Sequence, residues 1–85
     1  MSDVRMYCTA FCPYCVMAEC LLKSKGARIS KIFIDSMPDG FSELFDLTGR
    51  HTVPQIYIGG THVGGFDDLS ALDSRGGLEP LLAGC

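Results

Sequence analysis

The chain has 85 residues and a mass of 9.2 kDa, with 47% of residues in the hydrophobic set and 20% charged. That composition excludes a disordered polypeptide, and the length suits one domain, residues 1–85, with a thin core. Seven basic against ten acidic residues give a net charge of −3 and a pI near 5.1, which argues against a nucleic-acid binder; no apolar run approaches the ~18 residues of a membrane helix.

Val4 to Thr9 alternates apolar and polar residues and predicts a strand. Pro13 stands where a helix takes its first residue. Ala18, Leu21, Leu22 and the stem of Lys25 follow helical spacing, Glu19 and Lys23 form an i,i+4 pair, and Gly26 supplies the stop. Ile29 to Ile34 predicts a buried strand. A second helix follows Pro38-Asp39-Gly40, with Phe41, Leu44, Phe45 and Thr48 as its apolar stripe and Gly49 at its end. Pro54–Ile58 and Thr61–Gly64 flank Gly59-Gly60 and predict a hairpin with a two-residue turn. A third helix starts near Asp67, with Leu69 and Leu72 as contacts, and Leu78–Leu82 predicts a last helical turn or two. The order β-α-β-α-β-β-α implies one parallel pair with a right-handed crossover and an antiparallel hairpin. The expected architecture is thus a small mixed sheet with helices on its faces.

Five cysteines are an odd number for a secreted disulfide framework, and four of them, Cys8, Cys12, Cys15 and Cys20, crowd one short segment. Such clustering, behind an N-terminus that makes a poor signal-peptide core, reads as redox or metal chemistry in a cytoplasmic protein. The pair in Cys12-Pro13-Tyr14-Cys15 falls at the junction of the first strand and first helix. A helix start presents unpaired N–H groups and the positive end of the dipole, and a cysteine placed there becomes more thiolate. Cys12 is best placed to attack, and Cys15, one turn on and more covered, to resolve. A zinc site would want four ligands, commonly two separated Cys-x-x-Cys pairs. Only one such pair is present, and Cys8 and Cys20 sit where a four-sulfur cage would break the strand or the helix.

With that pair in that place, the chain resembles the dithiol glutaredoxins of the thioredoxin-like superfamily, most of all the small bacterial ones. The resemblance spans almost the whole chain and rests on Cys12-Pro13-Tyr14-Cys15, Thr52-Val53-Pro54-Gln55, Gly64-Gly65-Phe66-Asp67-Asp68-Leu69 and Leu72-Asp73-Ser74-Arg75-Gly76-Gly77-Leu78. It implies an α/β thioredoxin-like fold, a four-stranded mixed sheet with helices on both faces. It implies a glutathione-dependent thiol–disulfide oxidoreductase: glutathione as reductant, no metal, and no nucleic-acid or membrane partner. The protein would be a monomer acting on disulfide-containing or glutathionylated proteins, with ribonucleotide reductase a client by family likeness only. It also implies a cis Val53–Pro54 bond that turns the Val53 backbone toward Cys12.

By the same resemblance Tyr14 and Thr52 flank the sulfur, and Gly65, Phe66, the Asp67 backbone and Asp68 receive the γ-glutamyl end, Asp68 facing its ammonium. Glycines there permit close approach of a ligand backbone, and a helix start offers N–H groups to a carboxylate. Family members commonly carry a lysine three residues before the first active cysteine; this chain has Thr9, which leaves Arg50 as the cation for the glycyl carboxylate.

The other residues read more plainly. Cys8 reads as a core thiol, Cys20 as a helix-packing thiol, and Cys85 as a mobile terminal thiol. Phe33, Phe41 and Phe45 read as core, and His51 and His62 as surface polar residues. Val16 and Met17 are more apolar than expected beside the pair. Two other functions compete: an iron–sulfur cluster carrier, disfavoured by Pro13 and Cys15, and a redoxin fed by thioredoxin reductase, disfavoured by Arg50 and Asp67-Asp68.

Overall fold

A computed structural model describes residues 3–83, so Cys85 lies outside the described residues. Strands from both halves of the chain build the sheet. Strand β1 (Val4–Cys8) pairs in parallel with β2 (Ile29–Phe33) on one side and antiparallel with β3 (Gln55–Ile58) on the other; β3 pairs antiparallel with β4 (Thr61–Gly64). The order across the sheet is β2-β1-β3-β4. The turn between β3 and β4 is the two-residue Gly59-Gly60; Gly59 alone has positive φ, at +59°, which is the pattern of a type II′ turn with glycine at its first central position.

Alternation along β1 decides the two faces. Val4, Met6 and Cys8 are buried on one face with Ile56 and Ile58 of β3. Helices α1 (Pro13–Ser24), α3 (Phe66–Ser74) and α4 (Leu78–Ala83) close that face with Cys15, Ala18, Leu22, Leu69, Leu78 and Leu82. Lys25, at the end of α1, ties the three helices together through Asp73 at 3.1 Å and Glu79 at 3.7 Å. The other face carries a 3₁₀ turn (Ile34–Ser36) and α2 (Gly40–Thr48), whose Leu44 packs toward Tyr7 and Ile32. The helices thus lie on both faces of a four-stranded mixed sheet, as expected.

The structure corrects several details. Ile34 leaves the second strand for the 3₁₀ turn, and β2 is largely exposed: it is an edge strand with one neighbour, and Phe33 is 39% exposed under the Lys31 ammonium. The stripe of α2 is rotated by one residue. Gly40 and Leu44 are the buried pair, because the bare Cα of Gly40 sits against the Ile34 carbonyl, where any side chain would clash. Phe41 and Phe45 are therefore exposed rather than core, and Phe45 stacks on the His51 ring with centroids 4.2 Å apart. Cys20 does not pack in the core; the buried line of α1 runs through Cys15, Ala18 and Leu22, which turns Cys20 outward. Cys8, at 1% exposure, is a core thiol as expected.

Candidate active site

Helix α1 begins at Pro13, and Cys12 is its N-cap with extended backbone. The Cys12 sulfur accepts a hydrogen bond from the Cys15 N–H at 3.1 Å. The usual cap is a hydroxyl or carboxylate oxygen satisfying an orphan N–H of the first turn; here the Cys12 sulfur does so. The sulfur thus stands at the head of α1 with a backbone donor aimed at it. Cys12 is half-buried while Cys15 is covered. Burial first, and the adjoining Cys12 sulfur second, push the Cys15 thiol up to about 12. The two sulfurs of one motif thus have different surroundings: one at the surface facing an N–H, the other in the core and held as a thiol.

Across from Cys12 runs the loop from α2 to β3. The Val53–Pro54 bond is cis, and the Val53 carbonyl lies 3.9 Å from the Cys12 sulfur. A cleft of about 340 Å³ opens beside it, within the range of small-ligand sites. Tyr14 of α1 forms one wall; Arg50, Thr52, Val53 and Pro54 of the loop form the second; and Gly65, Phe66, Asp67 and Asp68 at the start of α3 form the third. The structure therefore brings every residue singled out beyond the cysteine pair into one concavity. Tyr14 and Phe66 face each other with ring centroids 6.3 Å apart.

The charged end of the cleft differs from the sequence reading. Asp68 and Arg50, assigned to opposite ends of a tripeptide, are in contact: Arg50 Nη1 donates to Asp68 Oδ2 at 2.8 Å. The same carboxylate oxygen accepts from the Gly65 N–H at 3.0 Å and so caps α3 from its third position. The Arg50 guanidinium first, and the Gly65 N–H second, hold the Asp68 carboxyl below its usual value. Gly64, at φ +114°, leaves the space these two side chains fill; a Cβ there would collide with the Asp68 carboxylate. The close approach that this glycine permits is thus to the chain's own side chains.

Two residues of this region have partners that the motifs do not assign. Gln55 is fully buried, and its amide nitrogen donates to the Thr52 carbonyl at 3.0 Å and the Thr52 hydroxyl at 3.2 Å. Its Oε1 is 2.8 Å from His62 Nε2, and the His62 ring stacks on Tyr57 at 4.8 Å. His62 is exposed, as a surface polar residue should be, and it also partners the buried amide. Desolvation first, and the Arg50 charge second, lower its pKa. A buried polar side chain inside an apolar strand was the one available signal, since such a group must find partners.

A model of the glutaredoxin family matches residues 4–63. The chain belongs to the glutaredoxin family. A glutaredoxin of Neisseria meningitidis is 51% identical over 83 residues, covering 96% of this chain and 98% of that one. Glutaredoxin 3 of Escherichia coli is 49% identical over 82 residues, covering 96% and 99%. Among solved structures, a buckwheat glutaredoxin–glutathione complex aligns with a TM-score of 0.89 at 33% identity, covering 96% of this chain and 77% of that one. A glutaredoxin from Brucella melitensis aligns with a TM-score of 0.85 at 46% identity, covering 96% and 89%. This glutaredoxin is a thiol–disulfide oxidoreductase with the thioredoxin-like fold of its family.

Proposed function

We propose that this glutaredoxin reduces glutathione mixed disulfides and protein disulfides at the expense of glutathione, through Cys12 and Cys15. The observation that carries the reading is the Cys12 sulfur, accepting an N–H at the head of α1 and lying at the edge of the cleft. Cys12 attacks one sulfur of the substrate disulfide. That S–S bond breaks, a bond from Cys12 forms, and the other substrate sulfur leaves with the electron pair and takes a proton. Two routes then discharge Cys12. A glutathione thiol can attack the mixed disulfide, or Cys15 can attack the Cys12 sulfur and close an internal disulfide that two glutathiones later reduce.

The raised pKa of Cys15 fits the order of these events. Part of the rise comes from the Cys12 sulfur beside it, and that part ends when Cys12 is tied up in a neutral disulfide. Cys15 thus waits as a thiol and becomes the better nucleophile once there is something to resolve.

The cleft suits glutathione by its chemistry. The Tyr14 and Phe66 rings offer apolar walls, the first-turn N–H groups of α3 suit a carboxylate, and Asp68 suits the γ-glutamyl ammonium. Arg50 is free to leave Asp68 for the glycyl carboxylate, since an ion pair with both partners about half exposed is worth only ~0–1 kcal/mol. The Val53 backbone pairs with the ligand chain as a short strand does. The buckwheat relative was solved as a complex with glutathione, which supports the same choice. A cytoplasmic monomer working on glutathionylated or disulfide-bonded proteins completes the reading.

The cysteine variants test it. Cys12→Ser should abolish turnover of both glutathionylated and internally disulfide-bonded substrates. Cys15→Ser should keep the first and lose the second. Equal loss in both assays for Cys15→Ser would sink the division of labour, and faster turnover with thioredoxin reductase than with glutathione would replace the reductant.

A further inference from the structure

A second, smaller hollow opens on the other side of Cys12. It has a volume of about 120 Å³ and shares no lining residue with the charged cleft. Cys12, Val16 and Phe33 line it, and its charged residues, Glu19 and Lys31, are paired with each other at 3.2 Å. Val16 of its lining is 58% exposed, and Phe11 and Met17, next in the chain to the lining residues Cys12 and Val16, are 97% and 46% exposed. No charged residue falls between Arg5 and Glu19 in the chain; the charges beside the hollow come from other segments and are engaged, Glu19 with Lys31 and the Asp35 carboxylate with the Ala10 N–H at 3.0 Å. Exposed apolar residues of this number around one small hollow are an arrangement that a solvated surface normally avoids.

Resting on the proposed disulfide chemistry, we infer that this hollow is a side-chain subsite for protein substrates, taking an apolar residue next to the reacting cysteine. The covalent step fixes the location. When Cys12 bonds to a partner's sulfur, the residues flanking that sulfur must lie over whatever surrounds Cys12. Glutathione, with its charged ends, matches the cleft; a protein strand with apolar neighbours matches the hollow and the Phe11, Val16 and Met17 rim. The paired Glu19 and Lys31 leave little net charge to steer a partner from a distance, so selection acts at contact. The electron balance is that of the general reaction: one substrate S–S bond is exchanged for the Cys12–Cys15 bond, and the two substrate sulfurs depart as thiols.

The test uses the full chain and two cyclic disulfide peptides identical except for the residues flanking one cysteine, valine and leucine in one, glutamate and lysine in the other. Reduction is followed with glutathione and, separately, with dithiothreitol as the feeding thiol. The glutathione mixed disulfide of 2-mercaptoethanol serves as a small substrate. Wild type should reduce the apolar peptide roughly ten-fold more efficiently, as burial of one or two side chains allows. The Phe11→Ser/Val16→Ser double variant should bring the two peptides within about two-fold while small-substrate turnover stays within about two-fold. Val16→Lys should shift preference toward a glutamate-only flank, a change that mere damage to α1 would not produce. Equal turnover of both peptides by wild type, or an apolar preference that survives the double variant, overturns the subsite. So does a concentration-dependent dimer that the double variant dissociates, since the face would then be an interface between copies. If glutathione fails to feed the enzyme but the preference persists with dithiothreitol, the reductant assignment falls and the subsite stands.

Discussion

Two helix starts face the cleft, and they use the same backbone feature in different ways. At the head of α1 the capping atom is the Cys12 sulfur, which takes the Cys15 N–H at 3.1 Å. At the head of α3 the cap position is Gly65, which has no side chain to offer, and Asp68 reaches back from the third position to take the Gly65 N–H at 3.0 Å. In the first case the group that satisfies the helix is also the one proposed to react, so the fold and the proposed chemistry share one arrangement. In the second the capping carboxylate is itself part of the cleft wall, beside Gly65, Phe66 and Asp67. A glycine cap costs only a few tenths of a kcal/mol relative to a polar one, a small concession for an open ligand-binding end. In the proposed function the first start serves the nucleophile and the second the ligand.

The largest effect expected from this difference concerns Cys15. Its thiol is raised from 9.0 to about 12, so the folded chain keeps a proton that the unfolded chain gives up. The resulting stability is present in full below pH 9 and drains away as pH rises toward 12. A single such group gives a slope of about 1.4 kcal/mol per pH unit. Urea unfolding of the reduced protein between pH 8 and pH 11 should therefore show a steeper decline in wild type than in Cys15→Ser. Parallel slopes would mean that burial does not hold this thiol. In the same reduced protein, iodoacetamide should label Cys12 and Cys20 in the folded state, while the buried Cys8 and Cys15 react only after unfolding.

Next in size is Asp68→Ala. Removing the cap of α3 should cost about 1 kcal/mol in stability, read from denaturant unfolding at constant slope. It should raise the apparent glutathione requirement by roughly three- to ten-fold, as loss of one partly exposed charge-assisted contact implies. The alkylation rate of Cys12 should not move, because α1 is capped by its own sulfur. A change in that rate would show that the two helix starts are coupled, and the contrast between them would fail.

How much of this was readable beforehand follows from what each feature depends on. The Cys12 cap depends on residues within four positions of one another, and Pro13 marks the helix start, so motif and local chemistry sufficed. The hairpin was equally local, fixed by Gly59-Gly60 between two alternating runs. The Arg50–Asp68 pair was not readable, because the two residues are 18 apart and only the placement of α3 beside the α2–β3 loop brings them together. The rotated stripe of α2 failed for a related reason: Phe41 and Phe45 are the larger apolar residues, but the backbone of Gly40 decides the docking angle, and a missing side chain leaves no hydrophobic signal. Cys20 and Phe33 were misjudged by residue type alone. Cys20 falls off the buried line of α1, and Phe33 lies on an edge strand whose position in the sheet the sequence order does not specify.

The smallest expected effect is that of Arg50→Ala, and it separates the two roles of Asp68. The guanidinium and the carboxylate are 46% and 45% exposed, so their ion pair should contribute less than about 1 kcal/mol to stability, and less again as salt rises. Asp68 keeps its bond to the Gly65 N–H without Arg50, so α3 stays capped. Stability should hence fall less in Arg50→Ala than in Asp68→Ala, and the double variant should lose little beyond Asp68→Ala alone. In the glutathione assay Arg50→Ala should weaken use of the tripeptide by a smaller factor than Asp68→Ala, with a deficit that shrinks at high salt. If instead Arg50→Ala destabilises the chain as much as Asp68→Ala, the carboxylate works chiefly as the arginine's counter-ion. The start of α3 would then be held by a surface ion pair across the cleft, and seating a charged ligand would loosen the helix that receives it.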